Sequence, residues 1–93
     1  MITDVRLSRV AMRQLRRIPQ FIRIKLKSWI EDVETIGLEE VRKVPGFHDE
    51  PLHGKRKSQR SIRLNRSYRA VYIIKQNGHI EFVSIKEVSK HDY

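Results

Sequence analysis

The sequence predicts an α+β domain in the order β-α-α-β-β-β, with two N-terminal helices packed on one face of a small, mainly antiparallel sheet. Three observations lead there. Apolar residues recur at helical spacing between Ala11 and Val33, and at a spacing of two beyond residue 60. Asn77-Gly78, a strong short-range signal for a β-hairpin, divides the last two alternating segments. The chain has 93 residues, 39% of them hydrophobic, which suffices for one core and hence a single domain spanning 1–93.

Each element has a local reason. Ile2-Thr3-Asp4-Val5-Arg6-Leu7 alternates apolar and polar residues, as a half-buried strand does. Ser8 can cap a following helix, in which Ala11, Leu15 and Ile18 form one buried stripe among arginines. Pro19 restarts the helix, and Ile22, Leu26, Trp29 and Val33 continue the pattern to Gly37, the place for a left-handed C-terminal cap. Residues 38–57 are expected to be mostly connection, punctuated by Pro45-Gly46, Pro51 and Gly54. Strands are expected at Ser61–Leu64, Ser67–Lys75 and His79–Lys86, with a type I′ turn at Asn77-Gly78.

Charge narrows the function. Lys and Arg number 20 against 11 Asp and Glu, giving +9, which points to a polyanionic or acidic partner. The bases concentrate in residues 1–30 and 51–93, whereas residues 31–50 are acidic. No acid falls between Pro51 and Arg69, a stretch that holds Lys55, Arg56, Lys57, Arg60, Arg63, Arg66 and Arg69. The absence of cysteine excludes disulfide frameworks, thiol catalysis and Cys-ligated zinc. The longest apolar run, Ala70 to Ile74, is too short for a membrane span or signal-peptide core, so a cytoplasmic location is expected.

Several chemistries lack their residues. His48, His53 and His91, with Asp49, Glu50 and Asp92 nearby, show no metal-ligand spacing, so no metal site is expected. Neither a phosphate-binding glycine loop nor a G-x-S-x-G elbow is present. Two features do suggest chemistry on a phosphodiester. If Asn65-Arg66-Ser67 is a three-residue loop, Arg63 stands opposite Arg69 on one face, an arrangement that repels unless an anion sits there. A two-residue loop would put them on opposite faces. The second feature is Lys90-His91-Asp92-Tyr93. Cleaving RNA without a metal needs a proton acceptor, cations at the phosphate and an acid for the leaving oxygen. His91, Tyr93, Arg63 and Arg69 comprise such a set.

The run Pro51-Leu52-His53-Gly54-Lys55, through Arg60-Ser61-Ile62-Arg63-Leu64 and Ser67-Tyr68-Arg69-Ala70-Val71-Tyr72 to Lys90-His91-Asp92-Tyr93, resembles the RelE/ParE superfamily of type II toxins. Within it the likeness is greatest to the HigB and RelE messenger-RNA interferases, and the element order fits the same family over nearly the whole chain. The resemblance implies that Arg69 contacts the scissile phosphate and that Arg63 helps hold the substrate backbone. It implies that His91, Asp92 and Tyr93 form the terminal catalytic cluster of HigB-like and YoeB-like members. Lys55, Arg56, Lys57 and Arg60 resemble the basic loop that docks on ribosomal RNA and message, and Arg66 and Lys90 extend the RNA-binding set. Two positions depart from the pattern. A basic residue of RelE falls at Ser61, beside Arg60, and the histidine that precedes Pro-Leu in HigB-like members is Glu50, with His48 nearby. Either Glu50 or His48 is a possible base.

The implied function is a ribosome-dependent, metal-independent mRNA endonuclease that needs no cofactor and is neutralised by a cognate antitoxin. A ParE-like gyrase poison is the alternative, although the terminal His/Tyr cluster argues against it. A passive RNA-binding module is a third reading, weakened by a supply of only 3 Tyr, 3 Phe and 1 Trp for stacking.

Overall fold

The structure, a computed structural model, describes residues 1–90. Strand β1 (Asp4–Leu7) leads into helix α1 (Arg9–Leu15) and helix α2 (Gln20–Ile36). The Ser8 hydroxyl caps α1 by accepting from the Ala11 N–H at 3.0 Å and donates to the Lys86 carbonyl at 2.8 Å, tying the helix start to the sheet. Ile22, Leu26, Trp29 and Val33, the apolar stripe of α2, are all buried. Each such side chain contributes roughly 1.5–3 kcal/mol through removal from water.

Gly37 has φ 90° and ψ 149°, so it is positive-φ as expected but not left-handed helical. It turns the chain directly into a further helix, α3 (Leu38–Val41), where only connection was expected. Leu38 and Val41 are both fully buried, and the Leu38 N–H donates to the Ile2 carbonyl at 2.8 Å. Tertiary burial makes this short helix, which has no periodic signature of its own. Any side chain at 37 would meet Met1 Cγ at 2.6 Å.

Two 3₁₀ turns (Pro45–Phe47 and Gly54–Arg56) flank a two-residue strand, β2 (Glu50–Pro51). Strands β3 (Arg60–Arg63), β4 (Tyr68–Asn77) and β5 (Ile80–Lys90) follow, the last running beyond its expected end at Lys86. The sheet order is β1-β5-β4-β3-β2, with β1 parallel to β5 and the other pairs antiparallel. The hairpin loop is Gly78-His79, closed by the Asn77–Ile80 pair, and only Gly78 takes positive φ. That is the pattern of a type II′ turn rather than the expected I′ at Asn77-Gly78.

The register of β4 and β5 slips at Val71/Tyr72, opposite the extra residue Lys86. Across this bulge Ala70, Tyr72, Val83, Ile85 and Val88 keep facing the helices, and Tyr72 packs on Trp29 with ring centroids 5.4 Å apart. Past the end of β1, Gln14 Oε1 accepts from the Val88 N–H at 2.7 Å, so helix α1 closes the exposed edge of β5. Among the described residues, no helix is long and apolar enough to cross a membrane.

Burial pushes the Tyr72 hydroxyl pKa up to about 12, with the nearby Asp49 carboxylate adding to the effect and Arg42 opposing it. An unfolded tyrosine ionises near 10, so between the two values the unfolded chain holds fewer protons and stability falls as pH rises. The contribution is intact below pH 10. By pH 11 it costs about 1.4 kcal/mol, one unit's worth. Thermal melts between pH 9 and 11.5 should show the wild type losing stability faster than Tyr72→Phe; equal slopes would exclude Tyr72 as the titrating group.

Candidate functional site

The loop between β3 and β4 sets the site. Leu64 N–H donates to the Tyr68 carbonyl at 2.9 Å, leaving Asn65, Arg66 and Ser67 as the loop. Asn65 Oδ1 holds it by accepting from the N–H groups of Ser67 and Tyr68, each at 2.8 Å. With three residues in the loop, Arg63 pairs directly with Arg69. Alternation places both on the face away from the helices, since their neighbours Ile62 and Ala70 are in the core.

Two guanidinium groups side by side repel one another. Arg63 is exposed, whereas Arg69 is half-buried, and its Nε is shielded from solvent with no acceptor among the described residues. A buried donor without a partner costs on the order of 1–3 kcal/mol, more when charged. Both costs would be offset by an anion.

These arginines line an open pocket with Arg66, Asn65, Tyr68, Ser61, His48 and Glu50. Its volume of about 50 Å³ is far below the ~300–1,000 Å³ of sites that enclose a small ligand. It suits one phosphate of a longer chain. His48 and Glu50, both named from sequence as possible bases, reach the same pocket, with His48 Nε2 at 3.6 Å from Glu50 Oε2. His48 ends the turn Pro45–Phe47 at φ 50° and ψ 48°, and it alone among the described non-glycine residues has positive φ. Left-handed backbone costs an ordinary residue roughly 1–2 kcal/mol, so the surroundings must hold it there.

The structure separates other members of the expected RNA-binding set. Arg60 is on the opposite face from Arg63, because it alternates with Ser61 and pairs with the core residue Tyr72. Its Nε donates to Asp49 Oδ1 at 2.6 Å, and only 27% of its side chain is exposed. Burial alone would lower the Arg60 pKa, but the hydrogen bond and charge of Asp49 outweigh it and the net direction is up. Placement with the basic docking loop is therefore corrected: Arg60 is an internal ion-pair partner. Arg56 is likewise engaged, donating to Glu87 Oε1 at 2.7 Å and to Gln59 Oε1 at 2.8 Å. That contact folds the turn Gly54–Arg56 over part of the open sheet face, beside the fully buried Val71. Lys55, Lys57 and Arg66 are exposed, and Lys90 is exposed at the end of β5, paired with Tyr68. His91, Asp92 and Tyr93 lie outside the described residues.

Sequence reasoning missed Asp49, whose side chain is only 1% exposed although it lies between exposed His48 and Glu50. No signal in the sequence distinguishes it from its acidic neighbour. The role of Asn65 was missed too: the loop length stayed open from sequence, and the available signal is an asparagine able to bond the backbone N–H groups two and three positions on. Among the described residues, no cluster of His, Asp and Glu could hold a metal ion.

Comparison with known proteins adds to this geometry. No family model matches the chain, and no curated protein matches it in sequence. Solved structures do match. A YoeB/ParE toxin from Agrobacterium tumefaciens is 16% identical, with 96% of this chain and 99% of that one covered at a TM-score of 0.69. YafQ from E. coli is 14% identical, covering 95% and 92%, at a TM-score of 0.72. The toxin–antitoxin complex RelBE2 from Mycobacterium tuberculosis is 20% identical, covering 98% and 100%, at a TM-score of 0.61. The chain thus has the α+β fold of RelE/ParE-type toxins.

Proposed function

We propose that this chain is the toxin of a type II toxin–antitoxin pair and acts as a ribosome-dependent, metal-independent mRNA endonuclease. The observation that carries the reading is the Arg63–Arg69 pair, whose Arg69 Nε has no acceptor among the described residues, lining one small pocket with His48 and Glu50. The guanidiniums would bind the scissile phosphate and stabilise the charge that grows on its oxygens. Glu50 or His48 would accept the 2′-hydroxyl proton, and the 2′-oxygen would then attack phosphorus and expel the 5′-oxygen. His91 and Tyr93, with Asp92 beside them, would return a proton to that leaving oxygen. The fold shared with YoeB/ParE, YafQ and RelBE2 toxins supports the toxin assignment. The solved RelBE2 complex supports a cognate antitoxin as partner, and the basic 55–69 face is the surface we assign to it.

The deciding experiment supplies the purified chain with translating ribosomes and maps message ends. New ends inside ribosome-bound message, with naked message left intact, are expected. Intact message with arrested growth and damaged DNA would instead indicate a gyrase poison.

Salt dependence tests docking separately. Each phosphate contact on single-stranded RNA contributes about −0.7 to the slope of log K against log salt. Replacing both Lys55 and Lys57 with Ala should flatten the slope by roughly 1.4 on that basis. Arg56 is left in place because its bonds to Glu87 and Gln59 hold the turn. A slope unchanged in the double variant would move the docking face elsewhere, to the arginine-rich helix α1.

A further inference from the structure

Asp49 is held by both carboxylate oxygens. Oδ1 accepts from Arg60 Nε on β3 at 2.6 Å, and Oδ2 accepts from the Tyr72 hydroxyl on β4 at 2.5 Å. The Tyr72 oxygen in turn accepts from Arg42 Nε at 3.4 Å, so the cluster also reaches the end of α3. None of these groups touches the pocket, yet the residues on either side of Asp49 both line it. The backbone makes this possible at one point: His48, at positive φ, turns the chain so that Asp49 points inward while His48 and Glu50 project together.

We propose that Asp49 is a positioning residue: its clamp to Arg60 and Tyr72 holds the left-handed His48 and the adjacent Glu50 against the Arg63–Arg69 pair. The inference rests on the endonuclease reading for its kinetic consequence but not for its geometric one. A misplacement of about 1 Å in a reacting group can cost a hundredfold in rate. A clamp on the backbone of both candidate bases is therefore a direct control on turnover. It differs from a purely stabilising ion pair, which could be exchanged for apolar packing without loss.

The test uses that difference. In the triple variant Asp49→Leu, Arg60→Met, Tyr72→Phe, the buried polar set becomes apolar, which keeps the fold stable without the clamp. Asp49→Asn is the conservative variant: its Oδ1 can still accept from Arg60, and its amide can donate to the Tyr72 oxygen. Two readouts are taken on folded protein: kcat and KM on translating ribosomes, and the nuclear Overhauser contact between the His48 ring and the Glu50 side chain. The triple variant should lose the contact and at least about tenfold in kcat with KM little changed, in line with that sensitivity to position. Asp49→Asn should keep the contact and remain within a few-fold of wild type. Retention of either the contact or the wild-type kcat in the triple variant overturns the proposal, as does loss of both in Asp49→Asn. If wild type itself cuts no message, the endonuclease reading fails, and the His48–Glu50 contact alone decides whether Asp49 positions the pair.

Discussion

Arg69→Ala lowers message cleavage by on the order of a hundred- to a thousandfold while ribosome binding is preserved; this is the expected result for loss of one preorganised group at the reacting charge. Arg69 is half-buried, its Nε has no acceptor among the described residues, and Arg63 stands directly across the ladder. Its Nε is therefore already desolvated, so little reorganisation of that donor is needed when negative charge grows on the phosphate oxygens. Removing it also relieves the repulsion with Arg63 and removes a shielded donor that has no acceptor among the described residues, so the melting temperature should hold or rise. Growing activity loss alongside unchanged or improved stability separates a functional arginine from a structural one. His91→Ala and Tyr93→Phe should slow cleavage too, and removing residues 91–93 should abolish it in a protein that still folds. Cleavage at the wild-type rate by folded Arg69→Ala would sink the assignment of the phosphate seat.

Asp49→Ala should cost about 3 kcal/mol of stability, at the low end of the ~3–5 kcal/mol typical when one partner of a buried ion pair is deleted. The low end applies because Arg60 keeps 27% of its side chain in water and can rehydrate, whereas Asp49 is 1% exposed. Tyr72 cannot reach solvent and would be left with a buried hydroxyl donor. For a domain of this size each kcal/mol shifts Tm by about 4–8 °C, so a fall of about 12–24 °C is expected in a thermal melt. A shift of under about 5 °C, roughly 1 kcal/mol on that scale, would show that the cluster contributes little to folding. His53→Ala, at an exposed position with no side-chain hydrogen bond among the described residues, serves as the neutral reference, since its carbonyl still accepts from the Arg56 N–H.

Local chemistry carries much of the fold. Ser8 caps α1, the four residues Ile22, Leu26, Trp29 and Val33 define the buried face of α2, and alternation beyond residue 60 places three strands. All of these depend on neighbours within one or two turns, so they can be read from spacing. The Arg63–Arg69 pair is an intermediate case. Its residues were identifiable, but whether they share a face depended on the loop length, which the Asn65 side chain settles.

Composition and periodicity by themselves determined an α+β domain with a helical half, a β half and a basic, acid-free stretch at its centre. Which basic residues face outward was a tertiary matter. Lys55, Arg56, Lys57 and Arg60 look alike in the sequence, yet Arg56 is drawn to Glu87, 31 residues away, and Arg60 to Asp49, 11 away. The same holds for α3 and β2, whose few residues are ordered by Ile2, Leu38, Val41 and β3 rather than by their own propensity. A charge pairs with whatever opposite charge the fold brings near, and a segment of two to four residues is too short to nucleate alone. Both outcomes depend on contacts between distant parts of the chain, which local pattern does not encode.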